Sequence, residues 1–239
     1  MNSLYYWYLA TRPNTLSASI APILIGTSIA YADKNIHLYS ALFTLIAAIT
    51  IQIATNFSND YYDFVRGADD KDRIGPKRAT QSGWIKPKTM LNASIFAFSL
   101  SFIFGIYLVF RGGLPIFLIG VFSVIFGYLY TGGPYPIGYN GLGDIFVFVF
   151  FGPVATIGTY YVQTLEVTYE VIISSIAPGL ISSSLLVINN LRDIKNDKKA
   201  GKKTLIVRYG LFFGRLQFTA SVLLAFTIPM ILVFYDFEN

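Results

Sequence analysis

LYSALFTLIAAITIQIATNF (Leu38–Phe57) is followed, one residue later, by NDYYDFVRGADDKDRIGPKRATQSG (Asn59–Gly83). The first stretch is uncharged and largely apolar; the second holds five aspartates and five lysines or arginines. A helix of about 20 residues rises about 30 Å, the thickness of a bilayer's hydrocarbon core. The junction therefore reads as a membrane-spanning helix running out into a charged loop.

The rest of the chain supports that reading. Hydrophobic residues make up 54% of the 239 and charged residues only 13%, about half the charge of an ordinary soluble domain. Mean hydropathy is +0.55. Seven stretches are long and apolar enough to span, roughly Thr15–Ala32, Leu38–Phe57, Met90–Phe110, Leu114–Tyr130, Ile145–Gln163, Val171–Asn189 and Leu216–Tyr235. A soluble helical bundle would need polar faces at a spacing of 3.6, and these segments have almost none. The expected fold is one all-α, multi-pass transmembrane bundle over residues 1–239. Without cysteine there is neither a disulfide framework nor a thiolate metal site. His37, the single histidine, reads as a loop residue. The opening MNSLYYWYLATRP lacks the basic region and cleavage site of a secretory signal.

Lysine and arginine set the orientation. Of 18, seven lie between Arg66 and Lys88 and eight between Arg192 and Arg215. With seven spans both clusters share one side with the N-terminus. The other side carries Lys34, Arg111 and the acidic Glu166 and Glu170. The basic loops and the N-terminus are therefore expected in the cytoplasm. Topology accounts for the net charge of +5, which removes nucleic acid as the implied partner.

Two constellations carry the chemistry. If the second span stays helical to its end, Asn56, Asp60 and Asp63 share one face. In NNLRDIKNDKKAGKKTL, Asn190, Asp193 and Asp197 share one face in the same way. Carboxylates at a membrane edge are costly and mark function. Clustered aspartates repel one another unless a cation lies between them. Mg²⁺ takes oxygen ligands, uses one or two carboxylates and bridges to phosphates. Arg66, Lys77, Arg78, Arg192, Lys202 and Lys203 would then neutralise a diphosphate. The plain alternative is a pair of solvated, orienting loops. It has to explain why two span ends on one side repeat an asparagine and two aspartates.

At these residues the chain resembles the UbiA-type superfamily of intramembrane aromatic prenyltransferases. The resemblance runs in order through TRPNTLSASIAPILIGT (11–27), QIATNFSNDYYDFVRGAD (52–69), RIGPKRATQSG (73–83), YTGGPYPIGYNGLGD (130–144) and NNLRDIKNDKKAGKKTLIVRYG (189–210). It is nearest to the 1,4-dihydroxy-2-naphthoate polyprenyltransferases of menaquinone synthesis. Two departures sharpen this. Gly67 stands where many relatives have the third aspartate of the first motif, and Asp69 comes two residues later, as in the naphthoate branch. Tyr130 is followed by Thr131-Gly132-Gly133-Pro134, so the Tyr-x-x-x-Lys element of the 4-hydroxybenzoate branch is absent. The family has nine helices against seven here, so the last two are either naturally absent or lie beyond the chain.

The resemblance implies Mg²⁺ held by Asp60, Asp63, Asp193 and Asp197, supported by Asn56 and Asn190. It implies a polyprenyl diphosphate clamped there and a naphthalenediol that attacks the allylic cation, losing CO₂ to give a demethylmenaquinone. Arg12, Asn59 and Tyr130 would meet the aromatic acceptor, and helix phenylalanines and tyrosines would line a tunnel for the tail. Three rivals stand beside it. The first is prenyl transfer to 4-hydroxybenzoate or a porphyrin derivative. A CDP-alcohol phosphotransferase would need an Asp-Gly opening, and the chain has no Asp-Gly pair. A divalent-cation transporter would need acids at mid-membrane depth rather than at one face.

Overall fold

The computed structural model describes residues 3–68 and 74–238, and the described residues are helices joined by turns, with no strand. A short helix, α1 (Ser3–Ala10), precedes α2 (Pro13–Ala32), α3 (Leu38–Val65) and α4 (Pro87–Leu129). A 3₁₀ turn at Ile137–Tyr139 leads to α5 (Gly143–Val149), a π-turn (Phe150–Val154) and α6 (Ala155–Thr164). The chain continues through α7 (Tyr169–Lys199) and α8 (Leu205–Glu238). Pro13 and Pro87 open α2 and α4, where a missing N–H costs nothing. The ring of His37 and the hydroxyl of Thr168 cap α3 and α7 by accepting from Ser40 N and Val171 N.

Six helical segments among the described residues are long and apolar enough to cross a bilayer, with α5 to α6 counting as one. The chain is an integral membrane protein. As a single rod, the 43 residues of α4 would be about 64 Å long, more than twice the hydrocarbon thickness. Gly113, at φ 66° and ψ −151°, breaks it, and Pro115 just beyond cannot rebuild the ladder. The two arms fold back on each other, because a β-carbon placed on Gly127 would lie 3.4 Å from the Phe98 ring. The broken helix thus crosses twice, so the seven expected crossings are all present. A second break, at Gly210, separates a short leading turn of α8 from its long apolar part.

Packing between spans relies on small residues, as expected where lipid removes the hydrophobic drive between helices. Gly152 in the π-turn lies against Gly179 of α7 so closely that a β-carbon would approach the Gly179 Cα to 2.9 Å. At the other end of the molecule α1 lies across the loop that leads into α4. Tyr6 stacks on Trp84 at 4.7 Å, Trp7 meets Phe57 edge-on, and Ala10, Phe57, Ala79, Ile85 and Met90 form one buried cluster. Aromatic rings at this level suit the membrane–water boundary. The end of α3, both ends of the α4 hairpin, the start of α5, the end of α7 and the start of α8 all gather on that side.

Candidate functional site

Both acidic motifs sit on helices that run past the apolar part of their spans. Because α3 continues to Val65, Asn56, Asp60 and Asp63 fall on one buried face, with exposures of 3%, 1% and 4%. Because α7 continues to Lys199, Asp193 and Asp197 are likewise buried, while Asn190 is half-buried.

A lysine joins the two motifs. Lys202 Nζ lies 3.4 Å from Asp63 Oδ1 and 3.7 Å from Asp197 Oδ1. Tyr139, carried by the 3₁₀ turn, donates its hydroxyl to Asp63 Oδ1 at 2.7 Å. Its ring lies beneath Lys202, 4.6 Å from the ammonium, with the Arg66 guanidinium 5.3 Å from the same centroid. Arg192 grips its neighbour Asp193 with two hydrogen bonds of 2.9 and 2.7 Å. Arg78 and Arg12 add positive field at Asp63.

The other expected residues fall into distinct places. Asp60 accepts from the backbone N–H groups of Ala79 and Thr80 at 3.0 and 2.9 Å. Asn56 donates to Thr11 O and Thr15 Oγ, tying α3 to the α1–α2 corner. At that corner Arg12 adopts the left-handed conformation, φ 53°, and donates to Asn56 O. Asn59 accepts from Thr131 Oγ at 2.7 Å, and Arg66 donates to Gly133 O. The side chains of Lys77 and Lys203 are exposed at the rim. Lys203 contributes through its backbone, its N–H bonding Tyr139 O at 2.7 Å and its carbonyl accepting from Arg208. Asp69, the displaced acid of the first motif, and its neighbours Asp70, Lys71 and Asp72 lie outside the described residues.

Behind this charged layer opens a cavity of about 580 Å³. Arg12, Thr15, Asn56, Asn59 and Tyr130 form its mouth. Along α3 it extends from Asn59 to Thr44, about 22 Å of helix rise. Below the mouth its walls are mostly aliphatic and phenylalanine side chains from α3, both arms of α4 and α5 to α6.

The model of the UbiA prenyltransferase family matches residues 19–238. The chain belongs to the UbiA prenyltransferase family. It is similar to a Mycobacterium tuberculosis protein named 1,4-dihydroxy-2-naphthoate octaprenyltransferase, 38% identical over 98% of this chain and 80% of the relative. An Escherichia coli protein of the same name is 40% identical over 85% of this chain and 68% of the relative. In fold it resembles a UbiA homolog from Archaeoglobus fulgidus bound to GPP and Mg²⁺, with a TM-score of 0.67 at 17% identity, covering 93% of this chain and 76% of that one.

Within this UbiA chain two residues escaped the sequence reading. Tyr139 was hidden in the turn-rich stretch YPIGYNG, whose glycines and prolines signal only a loop; its position on the charged side was the available clue. Asp144 is buried at the start of α5 and accepts from Gln217 of α8 at 2.7 Å. Its signal was a lone acid at the edge of an apolar span.

Proposed function

We propose that this chain transfers a polyprenyl group from polyprenyl diphosphate to 1,4-dihydroxy-2-naphthoate, releasing diphosphate and CO₂. The observation that carries the reading is the convergence of Asp63 and Asp197 on one cation, at the mouth of a long apolar cavity. The names of the relatives supply the acceptor.

The donor set fits Mg²⁺. It consists of oxygens, and the Lys202 ammonium already stands between the two acidic helix ends as a positive charge would. Mg²⁺ uses one or two carboxylates and completes its shell with substrate phosphates. Asp63, Asp193 and Asp197, with Asn190, would hold it. When bound, Mg²⁺ neutralises the diphosphate and makes it a better leaving group.

The chain's own residues do the rest. Arg66, Arg78, Arg192 and Lys202 face the diphosphate oxygens and stabilise charge developing on them. Lys77 and Lys203, at the rim, draw the anion in. The cavity holds the tail and keeps water from the allylic carbon. Arg12 offers a cation to the acceptor's carboxylate, with Asn59 and Tyr130 beside it. A ring carbon forms the new bond as the allylic C–O bond breaks. The ring then loses a carboxylate as CO₂ and regains aromaticity. No oxidant takes part, so the demethylmenaquinone skeleton is released in its hydroquinone form.

The basic loops and the N-terminus face the cytoplasm on this reading, and residues 1–239 act as one unit. Transfer to 4-hydroxybenzoate is the second reading, disfavoured by the missing lysine after Tyr130. Membranes containing the protein, supplied with one polyprenyl diphosphate and either acceptor, distinguish the two by mass spectrometry of the lipid product. Prenylated naphthalenediol with loss of 44 mass units (CO₂) is expected, absent in Asp193→Asn; a prenylated benzoate alone would reverse the assignment.

A further inference from the structure

The four aspartates of the two motifs are not held alike. Asp63 and Asp197 face the Lys202 ammonium, Asp63 also accepts from the Tyr139 hydroxyl, and Asp193 faces the Arg192 guanidinium. These partners are side-chain groups, which a competing metal or phosphate displaces without moving backbone. Asp60 has a different kind of partner. Each of its oxygens accepts from a main-chain N–H, Ala79 on Oδ2 and Thr80 on Oδ1, and only 1% of the residue is exposed. Ala79 is itself packed against Ala10, Phe57, Ile85 and Met90, so these donors cannot withdraw without opening the cluster that seats α1.

The amides that Asp60 binds directly follow Lys77 and Arg78, two of the residues expected to meet diphosphate. We infer that Asp60 is a positioning residue: it pins the Arg78–Gly83 turn to the end of α3 and so aims Arg78 at the diphosphate, while the metal is held without it. The inference deepens the site assignment above and rests on it. Two buried N–H groups that lose a carboxylate are left without an acceptor, and neither the turn nor Arg78 keeps its place. An asparagine at 60 accepts one of the two and turns its own NH₂ toward the other.

The test uses purified full-length protein in detergent with Mn²⁺ as the paramagnetic probe. Asp60→Asn is expected to bind Mn²⁺ with inorganic diphosphate within about threefold of wild type. It should also raise KM for polyprenyl diphosphate about tenfold or more, with kcat changed much less. Asp63→Asn is expected to lose the Mn²⁺ signal. If both variants lose it, Asp60 is a ligand and the inference fails while the site assignment stands. If both keep it, the site assignment fails and takes the inference with it. Hydrogen exchange of the wild-type protein gives an answer that needs no variant. Amides of the peptide holding Ala79 and Thr80 should stay protected when Mg²⁺ and inorganic diphosphate are added. Loss of that protection on loading would mean that Asp60 leaves the turn for the metal, and would overturn the inference.

Discussion

The Lys202 ammonium lies 3.4 Å from the Asp63 carboxylate, which joins a residue after the sixth crossing to one at the end of the second. It also reaches Asp197, so one charge closes the gap between two acidic helix ends. Partly buried, this lysine offsets repulsion that would otherwise open the site.

We predict that Lys202→Gln lowers kcat/KM about 10²-fold, the size of effect seen when one donor to a developing anion is removed. It should also lower the melting temperature in metal-free buffer, because Asp63 and Asp197 then face each other with less compensation. Mg²⁺ with inorganic diphosphate should restore most of that loss. Thermal melts in detergent with and without the pair check this; a melting point that Mg²⁺ leaves unmoved would count against a shared cation site.

Tyr139 provides both a hydroxyl for Asp63 and a ring for Lys202 and Arg66. Tyr139→Phe removes only the hydrogen bond and should cost about 1–3 kcal/mol, or about 5- to 150-fold in kcat/KM. Tyr139→Ala also removes the ring and should cost more. Steady-state kinetics on the two variants decide the order; equal losses would mean that the ring contributes nothing.

How far the sequence alone reaches can be read from α3 and from its partners. The crossing and the acids at its end were legible because apolar length and helical spacing are local properties. Asp60 and Asp63 were found for that reason, and α7 repeats the case with Asp193 and Asp197. What their carboxylates touch was not legible. The Asp63–Tyr139 bond joins residues 76 positions apart, and the Asp60 bonds go to backbone amides, which carry no residue signature. The hairpin in α4 was read as two spans, Met90–Phe110 and Leu114–Tyr130, with the charged Arg111 between them. The cavity was the least legible feature, since its lining comes from several helices and no single segment announces it.

Gly113 holds φ 66° with nothing within 4 Å of where a β-carbon would point. Gly113→Ala therefore meets no clash, and its cost is backbone strain alone, about 1–3 kcal/mol. The expected result is a lower melting temperature with KM values near wild type, because the hairpin tip lies at the far end of the molecule from the acidic motifs. An unchanged melting temperature would show that the turn relaxes without strain.

The cavity reaches deep into the bundle. Ala48 lines it on α3, 11 residues and therefore about 16 Å of helix rise below Asn59 at the mouth. A phenylalanine there places a ring across the channel and leaves the charged layer untouched. Ala48→Phe should keep kcat/KM for a short prenyl diphosphate within a few-fold of wild type and lose most activity with a long one. A tail occupying the channel must be bent or expelled by the ring, whereas a short tail ends above it. The measurement is a chain-length series of prenyl diphosphates with one acceptor, read as lipid product for wild type and variant. Equal loss at every length would mean that the substitution disturbs the fold. No loss at any length would mean that the tail leaves the bundle above Ala48, through the lipid-facing side rather than along the channel.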